Sequence, residues 1–132
     1  MTRTPTGGFD SFTKSELGEL ADRLLDDDPV AIETCVAFVE AETFGLGHGR
    51  VRARMARRLK HCCLSKHQVS RLVNVILGRL VEGRFSEQFK DQLRLAMKID
   101  PQATFSAATS CRDAELAYVG RYARWVLEHR PG

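Results

Sequence analysis

The side chains most able to carry chemistry are concentrated in residues 48–63, HGRVRARMARRLKHCC. This stretch holds six Lys and Arg residues, two histidines and two adjacent cysteines. Guanidinium groups present planar forks of N–H donors that suit phosphate or carboxylate groups, whereas Cys and His are common zinc ligands. Three interpretations follow: a polyanion-binding helix, a metal site, and the solvated face of an ordinary helix.

A helix over residues 50–62 would sort these side chains onto separate faces, because successive residues turn by about 100°. Its apolar side chains would form one buried stripe, made of Val51, Met55, Leu59 and Cys62. Four other side chains would form a neighbouring group, hereafter the basic face, made of Arg50, Arg54, Arg57 and His61. We expect Lys66 and Arg71 of the next helix to extend it. The basic face predicts binding of a nucleic acid or another polyanion, which would weaken steeply with salt.

The charge of the chain is unevenly distributed, and this supports a competing interpretation. Residues 1–47 carry three Lys and Arg against ten Asp and Glu, whereas residues 48–132 carry seventeen against seven. The long basic side chains would then pack along their stems and pair their charges with the acidic first third of the chain. The sequence leaves both interpretations open.

The cysteine and histidine residues around position 63 lack the spacing of a zinc site. There is no C-x2-C pair, and the adjacent Cys62 and Cys63 diverge by about 100° on a helix. We therefore predict no metal site. Cys63 has His61, Lys66 and His67 nearby in sequence and precedes a helix N-terminus, a setting that favours a reactive thiolate. No orienting acid or oxyanion hole is recognisable, so no catalytic residue is assigned.

Signals for helix ends divide the chain into about seven helices. The predicted N-terminal caps are Thr13, Asp28, Ser65, Ser86, Asp100 and Ser110. Proline follows Asp28 and Asp100, at the helix position where its missing N–H costs nothing. Gly83 is expected to end the fourth helix. Because no segment alternates with period two over the length of a strand, the predicted fold class is all-α, with short connections between antiparallel helices.

Length and composition indicate one globular domain. A chain of 132 residues, 43% hydrophobic and 28% charged, suits a single compact core. We predict a flexible N-terminal lead at residues 1–12 and one all-α domain at residues 13–130. No apolar run approaches the ~20 residues that cross a bilayer, and no hydrophobic segment follows Arg3 as in a secretory signal. We therefore expect no membrane association and, by default, a cytoplasmic location.

Residues 19–42, ELADRLLDDDPVAIETCVAFVEAE, resemble one HEAT-type helical repeat. A leucine-rich helix leads into an acidic turn that ends in Asp-Pro, and a second apolar helix follows. Asp26, Asp28 and Pro29 match the turn residues of that family, and Val36 and Val39 match apolar positions of its second helix. The resemblance implies a short solenoid that acts as a binding scaffold. A compact helical bundle is the other architecture that the pattern allows.

The last helix carries aromatic side chains on the side opposite its apolar stripe. The stripe is made of Leu116, Val119, Ala123, Val126 and Leu127. A helix packed on both sides would bury the aromatic side chains, whereas an exposed aromatic surface would bind a partner, since Trp, Tyr and Arg are enriched at binding hot spots. We expect a protein partner, a second copy of this chain included, to contact Tyr118, Arg121, Tyr122 and Trp125.

These observations predict a binding protein without enzymatic activity, metal or cofactor. Its first predicted partner is another protein or a second copy of the chain. The alternative partner is a nucleic acid or another polyanion, bound by the basic helix 50–61 together with Lys66 and Arg71. A third hypothesis is a thiol-based sensor or enzyme at Cys63.

Overall fold

The computed structural model describes residue 9 and residues 11–43, 45–85 and 87–131, and within them the chain is all-α. The seven helices are α1 (Lys14–Arg23), α2 (Pro29–Glu40), α3 (His48–Leu59), α4 (Lys66–Glu82), α5 (Lys90–Ile99), α6 (Pro101–Cys111) and α7 (Ala117–Glu128). Short 3-10 turns at Leu24–Asp26 and Glu87–Phe89 follow α1 and precede α5. The predicted fold class and helix number are confirmed. None of the described helices combines the length and the apolar character required to span a membrane.

The helices form a compact bundle of two layers. In the first layer α1, α3, α5 and α7 follow one another, each packed against the next, and α2, α4 and α6 form the second layer in the same way. The layers are joined by contacts of α2 with α1 and α3, of α4 with α5 and α7, and of α6 with α5 and α7. Buried apolar side chains from both layers form one core. The resemblance to HEAT repeats stays a prediction.

Most helix starts lie where the sequence signals predict them. Thr13 and Ser65 each form a capping box with the residue three positions later, Glu16 and Gln68. In the first box Glu16 N donates to Thr13 Oγ1 at 3.1 Å and Thr13 N donates to Glu16 Oε1 at 3.0 Å. Both Asp-Pro pairs also begin helices, because the aspartate side chain accepts hydrogen bonds from amides of the first turn. Gly83 ends α4 in the left-handed conformation, with φ of 74°.

The predicted start of the last helix is wrong. Ser110 lies in the last turn of α6, where its hydroxyl donates to the carbonyl oxygen of Ala107 at 2.7 Å and so caps nothing. The next residue, Cys111, is buried in the core, so α6 continues to it, and α7 begins only at Ala117. Ser86, the predicted cap of the fifth helix, lies outside the described residues.

The core reaches into the segment predicted as a flexible lead. Phe9 and Phe12 are buried, and Phe9 packs edge-on against Phe38 of α2, with ring centroids 5.2 Å apart. The imidazole of His48, at the start of α3, lies between the Phe12 carbonyl oxygen at 3.0 Å and the Thr43 hydroxyl at 2.8 Å. Since a carbonyl only accepts, His48 Nε2 donates to Phe12. The remaining residues of the lead, 1–8 and 10, lie outside the described part of the chain.

Candidate functional site

Helix α3 separates apolar and basic side chains as its periodicity predicts. Val51, Met55 and Leu59 are buried against the core. Arg50 and Arg57 are exposed, and Arg54 is half-buried, with its guanidinium beside Gly18 of α1. The basic face of α3 is therefore an outward surface of the first layer. His61 is exposed in the turn that follows the helix.

The acidic first third of the chain pairs with other arginines than those of the basic face. Arg58 binds Asp22 of α1 at 2.9 Å, whereas Arg57 binds Asp91 of α5 at 2.7 Å. Among the described residues no carboxylate lies within 4.0 Å of the guanidinium of Arg50 or Arg54. Neutralisation by the N-terminal acids, as the competing interpretation requires, holds for Arg58 and fails for Arg50 and Arg54.

The basic face continues onto the neighbouring helix α5. Asp91 accepts a second ion pair from Arg94 at 3.3 Å, so one carboxylate bridges the arginines of two helices. Lys90 Nζ and the Arg94 guanidinium lie 5.1 and 5.2 Å from the ring centroid of Trp125, within cation–π distance. We use the name extended basic surface for the cations on α3 and α5, which are Arg50, Arg54, Arg57, Lys90 and Arg94.

The described contacts join neither of the two residues predicted to extend the basic face, Lys66 and Arg71, to that face. Lys66 and Arg71 belong to α4, which packs against α2, α5, α6 and α7 in the described structure. Lys66 is exposed, whereas Arg71 is held by two carboxylates of α2, Glu33 at 2.8 Å and Glu40 at 2.5 Å. This arginine therefore fastens α4 to α2.

Electrostatic effects at this ion-pair cluster follow from its hydrogen bonds. Partial burial by itself raises the pKa of Glu33, but hydrogen bonds from Arg71 and Gln68 outweigh it and lower the pKa below its ordinary 4.5. The hydrogen bond to Glu40, followed by that to Glu33, raises the pKa of Arg71. Arg71 is thus a fully charged residue with a structural role.

The aromatic side chains of α7 are half-buried by contacts within the molecule. The Tyr118 hydroxyl donates to the Gly83 carbonyl oxygen at 2.6 Å. Phe85 lies between the two tyrosines, with ring centroids 5.3 Å from Tyr118 and 4.7 Å from Tyr122. Trp125 is flanked by the cations of α5 described above. Arg121 is exposed. The segment after α4 and helix α5 therefore cover one side of the residues predicted to bind a protein partner.

The two adjacent cysteines have different surroundings. Burial, together with the nearby Asp27, raises the pKa of Cys62, whose Sγ lies 3.4 Å from the Arg58 carbonyl oxygen and 3.6 Å from that of Leu24. Cys63 is exposed, and its backbone N–H donates to Asp27 Oδ1 at 3.2 Å. In the part of the chain that the structure describes, no group of three or more Cys, His, Asp or Glu side chains could hold a metal ion.

Sequence reasoning missed a cavity of about 590 Å³ that lies where α2 and α4 end and α3 and α5 begin. Its lining includes three arginines, Arg52, Arg79 and Arg84. Arg79 is only 4% exposed. The sequence contains one signal that could have identified Arg79. It lies three residues after Ile76 and one before Leu80, so helical periodicity places this charged residue inside the apolar stripe of α4.

Comparisons of this chain with protein-family models, with curated protein sequences and with solved structures find no match.

Proposed function

We propose that this protein binds the phosphate backbone of a nucleic acid through its extended basic surface. The observation that carries the proposal concerns Arg50 and Arg54, which have no carboxylate partner among the described residues, although their neighbours Arg57 and Arg58 each have one. Arg58 and Arg71 use N-terminal acids as partners. Arg50 and Arg54 are therefore available to a ligand.

The geometry of α3 and α5 suits a backbone ligand. Arg50, Arg54 and Arg57 follow one another at successive turns, with axial spacings of about 6 and about 4.5 Å. Helix α5 packs beside α3 and adds Lys90 and Arg94 on the same layer. Guanidinium groups bind phosphate oxygens through paired N–H donors, and such contacts need no particular base sequence. The surface therefore supports binding without strong sequence preference.

Asp91 is the one carboxylate that the described contacts place within this surface. Its side chain is 17% exposed and bridges Arg57 and Arg94. It fixes the two arginines while cancelling part of their charge. Asp91→Asn should therefore raise the affinity for a nucleic acid modestly, by about twofold to fivefold.

Half-burial of the α7 aromatic side chains supports this ligand over a protein partner at that helix. The Tyr118 hydroxyl donates a hydrogen bond to the Gly83 carbonyl oxygen, and the Phe85 ring covers one side of Tyr118 and Tyr122. A protein interface would need these rings as exposed anchors. Trp125, between Lys90 and Arg94, lies instead at the edge of the extended basic surface.

The proposal is tested by fluorescence anisotropy with labelled mixed-sequence RNA and DNA of about 20 nucleotides, a length that exceeds the site of one small domain. Binding should weaken with salt, with a slope of log K against log[salt] of about −3 to −4 for four to five phosphate contacts. Arg50→Glu/Arg54→Glu should reduce the affinity at least ~30-fold, and Arg54→Glu alone at least ~5-fold.

Lys66→Glu is the matched control, because it reverses one exposed charge on α4, a helix that contributes no cation to the extended basic surface. It should change the affinity by less than about twofold. Absence of binding at about 50 mM salt would remove the proposal, because electrostatic binding is strong there. Equal losses for Arg54→Glu and Lys66→Glu would show that only net charge matters and that the surface is wrongly assigned.

A further inference from the structure

The cavity between the helix ends is lined by a buried arginine, Arg79, which forms no ion pair with a described carboxylate. Its charged lining residues are Arg52, Arg79, Arg84 and Glu42. Glu42 forms an ion pair with the exposed Arg84. Arg79 therefore lies inside the cavity without a carboxylate within 4.0 Å among the described residues.

Arg79 is held by neutral acceptors only. Its Nη1 donates to Gln92 Oε1 at 2.9 Å, and its Nη2 donates to the carbonyl oxygens of Glu40 and Ala41 at 3.0 and 3.3 Å. Those two carbonyls belong to the C-terminal end of α2, where a cation is favoured by the helix dipole. The described contacts use three of the five N–H bonds of a guanidinium. The Arg79 guanidinium is therefore held in a fixed position, and its other N–H groups can donate hydrogen bonds to a ligand.

The rest of the cavity combines further donors with an apolar wall. The Arg52 guanidinium donates to the Thr43 hydroxyl and lies 5.0 Å from the ring centroid of Phe38. Phe85 and Phe89, stacked with ring centroids 4.4 Å apart, line another side. Burial of the Arg79 charge without an ion-pair partner costs free energy, and an anion bound in the cavity would offset part of that cost.

We propose that this cavity binds a small organic anion, whose carboxylate or phosphate group is held by Arg79 and Arg52 and whose apolar body lies against Phe85 and Phe89. The site is separate from the extended basic surface, since Arg50, Arg54 and Arg57 do not line the cavity. A single anionic group with a ring or short hydrocarbon body matches the volume and the lining, whereas a polymer backbone matches the open face of α3 and α5.

The probes are benzoate, phenyl phosphate, inorganic phosphate and the neutral benzyl alcohol, titrated into the full chain and followed by amide and side-chain NH2 shifts in NMR spectra. We expect saturable binding of benzoate, phenyl phosphate or both at about millimolar concentration, and at least about tenfold weaker binding of benzyl alcohol. The preferred anionic group then separates a carboxylate ligand from a phosphate ligand. Shifts should be largest at Gly45, Gly49 and the side-chain amide of Gln92, which line the cavity.

Gly49→Leu tests the site without touching either arginine. A Cβ at this helical position lies 3.2 Å from Gln88 Oε1, the end of a flexible side chain, so the variant should fold while its side chain fills the cavity mouth. Gly78→Leu is the matched control, because a Cβ there meets nothing within 4 Å. Gly49→Leu should weaken anion binding at least about tenfold and Gly78→Leu less than about twofold.

Three results would overturn the proposal. The first is no saturable shift with either aromatic anion in the wild-type chain. The second is equal binding of benzyl alcohol and the anions, and the third is wild-type affinity in Gly49→Leu. Loss of nucleic-acid binding in the Arg50→Glu/Arg54→Glu variant leaves this cavity intact, so the two proposals succeed or fail separately.

Discussion

The arginines of α3 and those of α4 come from one continuous basic stretch of the sequence, but their neighbours give them different roles. On α4, Arg71 lies between two carboxylates of α2, and Arg79 is buried against two carbonyls and an amide. On α3, Arg50 and Arg54 lie on the outer surface of the first layer without a described carboxylate partner. The same residue type thus fastens helices in one place and faces outward in the other.

The difference arises from which helix packs alongside. Helix α2 presents Glu33 and Glu40 to α4, whereas the helices beside α3 present one carboxylate each, Asp22 from α1 and Asp91 from α5. Arg58 and Arg57 use these two. The number of Lys and Arg residues in a stretch of sequence therefore says little about function. The number of cations that have no carboxylate partner in the folded chain is more informative.

The largest loss of stability is expected for Arg79→Ala. The substitution leaves the carbonyls of Glu40 and Ala41 and the side chain of Gln92 without their donor, and it enlarges a cavity. We expect the free energy of unfolding, measured with urea, to fall by about 2–4 kcal/mol.

Arg79→Met is the control for this change, because it restores most of the side-chain volume but none of the N–H donors. It should recover at most about half of the loss. If Arg79→Ala is as stable as the wild type, burial of the charge has offset its hydrogen bonds, and Arg79 does not fasten α4 to α2.

A smaller loss is expected for Arg71→Ala, about 1 kcal/mol at pH 7, because its ion pairs are only partly buried. This loss should depend on pH. Folding lowers the pKa of Glu33 below its ordinary 4.5, so its contribution is complete above that value and disappears as the pH falls through the folded-state pKa.

The difference in stability between the wild type and Arg71→Ala should therefore narrow between about pH 5 and pH 3 in urea unfolding at each pH. A difference that is constant or widens over this range would show that the Glu33 ion pair does not stabilise the fold. Lys66→Ala, which removes an exposed charge from the same helix, should show no such narrowing.

The smallest effect on stability is expected for Arg50→Ala/Arg54→Ala. Neither guanidinium has a described ion pair, so the free energy of unfolding should change by less than about 0.5 kcal/mol, even though nucleic-acid binding should be lost. Arg57→Ala, which loses the contact to Asp91, should cost slightly more, up to about 1 kcal/mol. A loss above about 1.5 kcal/mol for the double variant would mean that these side chains support the fold, and the contrast with α4 would disappear.

Much of the fold follows from short-range signals that the sequence contains. The capping boxes at Thr13 and Ser65 and the caps at Asp28 and Asp100 are correct because a capping side chain and its amide lie within three residues of each other. Ser110 is the exception, since its hydroxyl bonds back to the preceding turn and a buried Cys111 extends α6. The apolar stripe of α3 is equally local, because periodicity alone places Val51, Met55 and Leu59 on one side.

The candidate sites depend on contacts that periodicity does not contain. The sequence identified Arg50, Arg54 and Arg57 as one face. It also grouped Arg71 with them, although in the structure Arg71 forms ion pairs with carboxylates of α2. It placed Tyr118 and Tyr122 opposite the apolar stripe of α7, but the ring that covers them, Phe85, lies more than thirty residues earlier in the chain. Pairing across such separations is decided by how whole helices pack.

By itself the sequence determined that this chain is all-α, where most of its helices begin, and which side of α3 is basic, because caps and helical periodicity act within a few residues. The tertiary structure alone decided which cations have a carboxylate partner among the described residues. It brought Glu33 and Glu40 to Arg71 and Asp91 to Arg57, and it enclosed Arg79 in a cavity assembled from the ends of four helices. Electrostatic pairing and desolvation depend on distances between side chains, and those distances exist only after the two layers have packed.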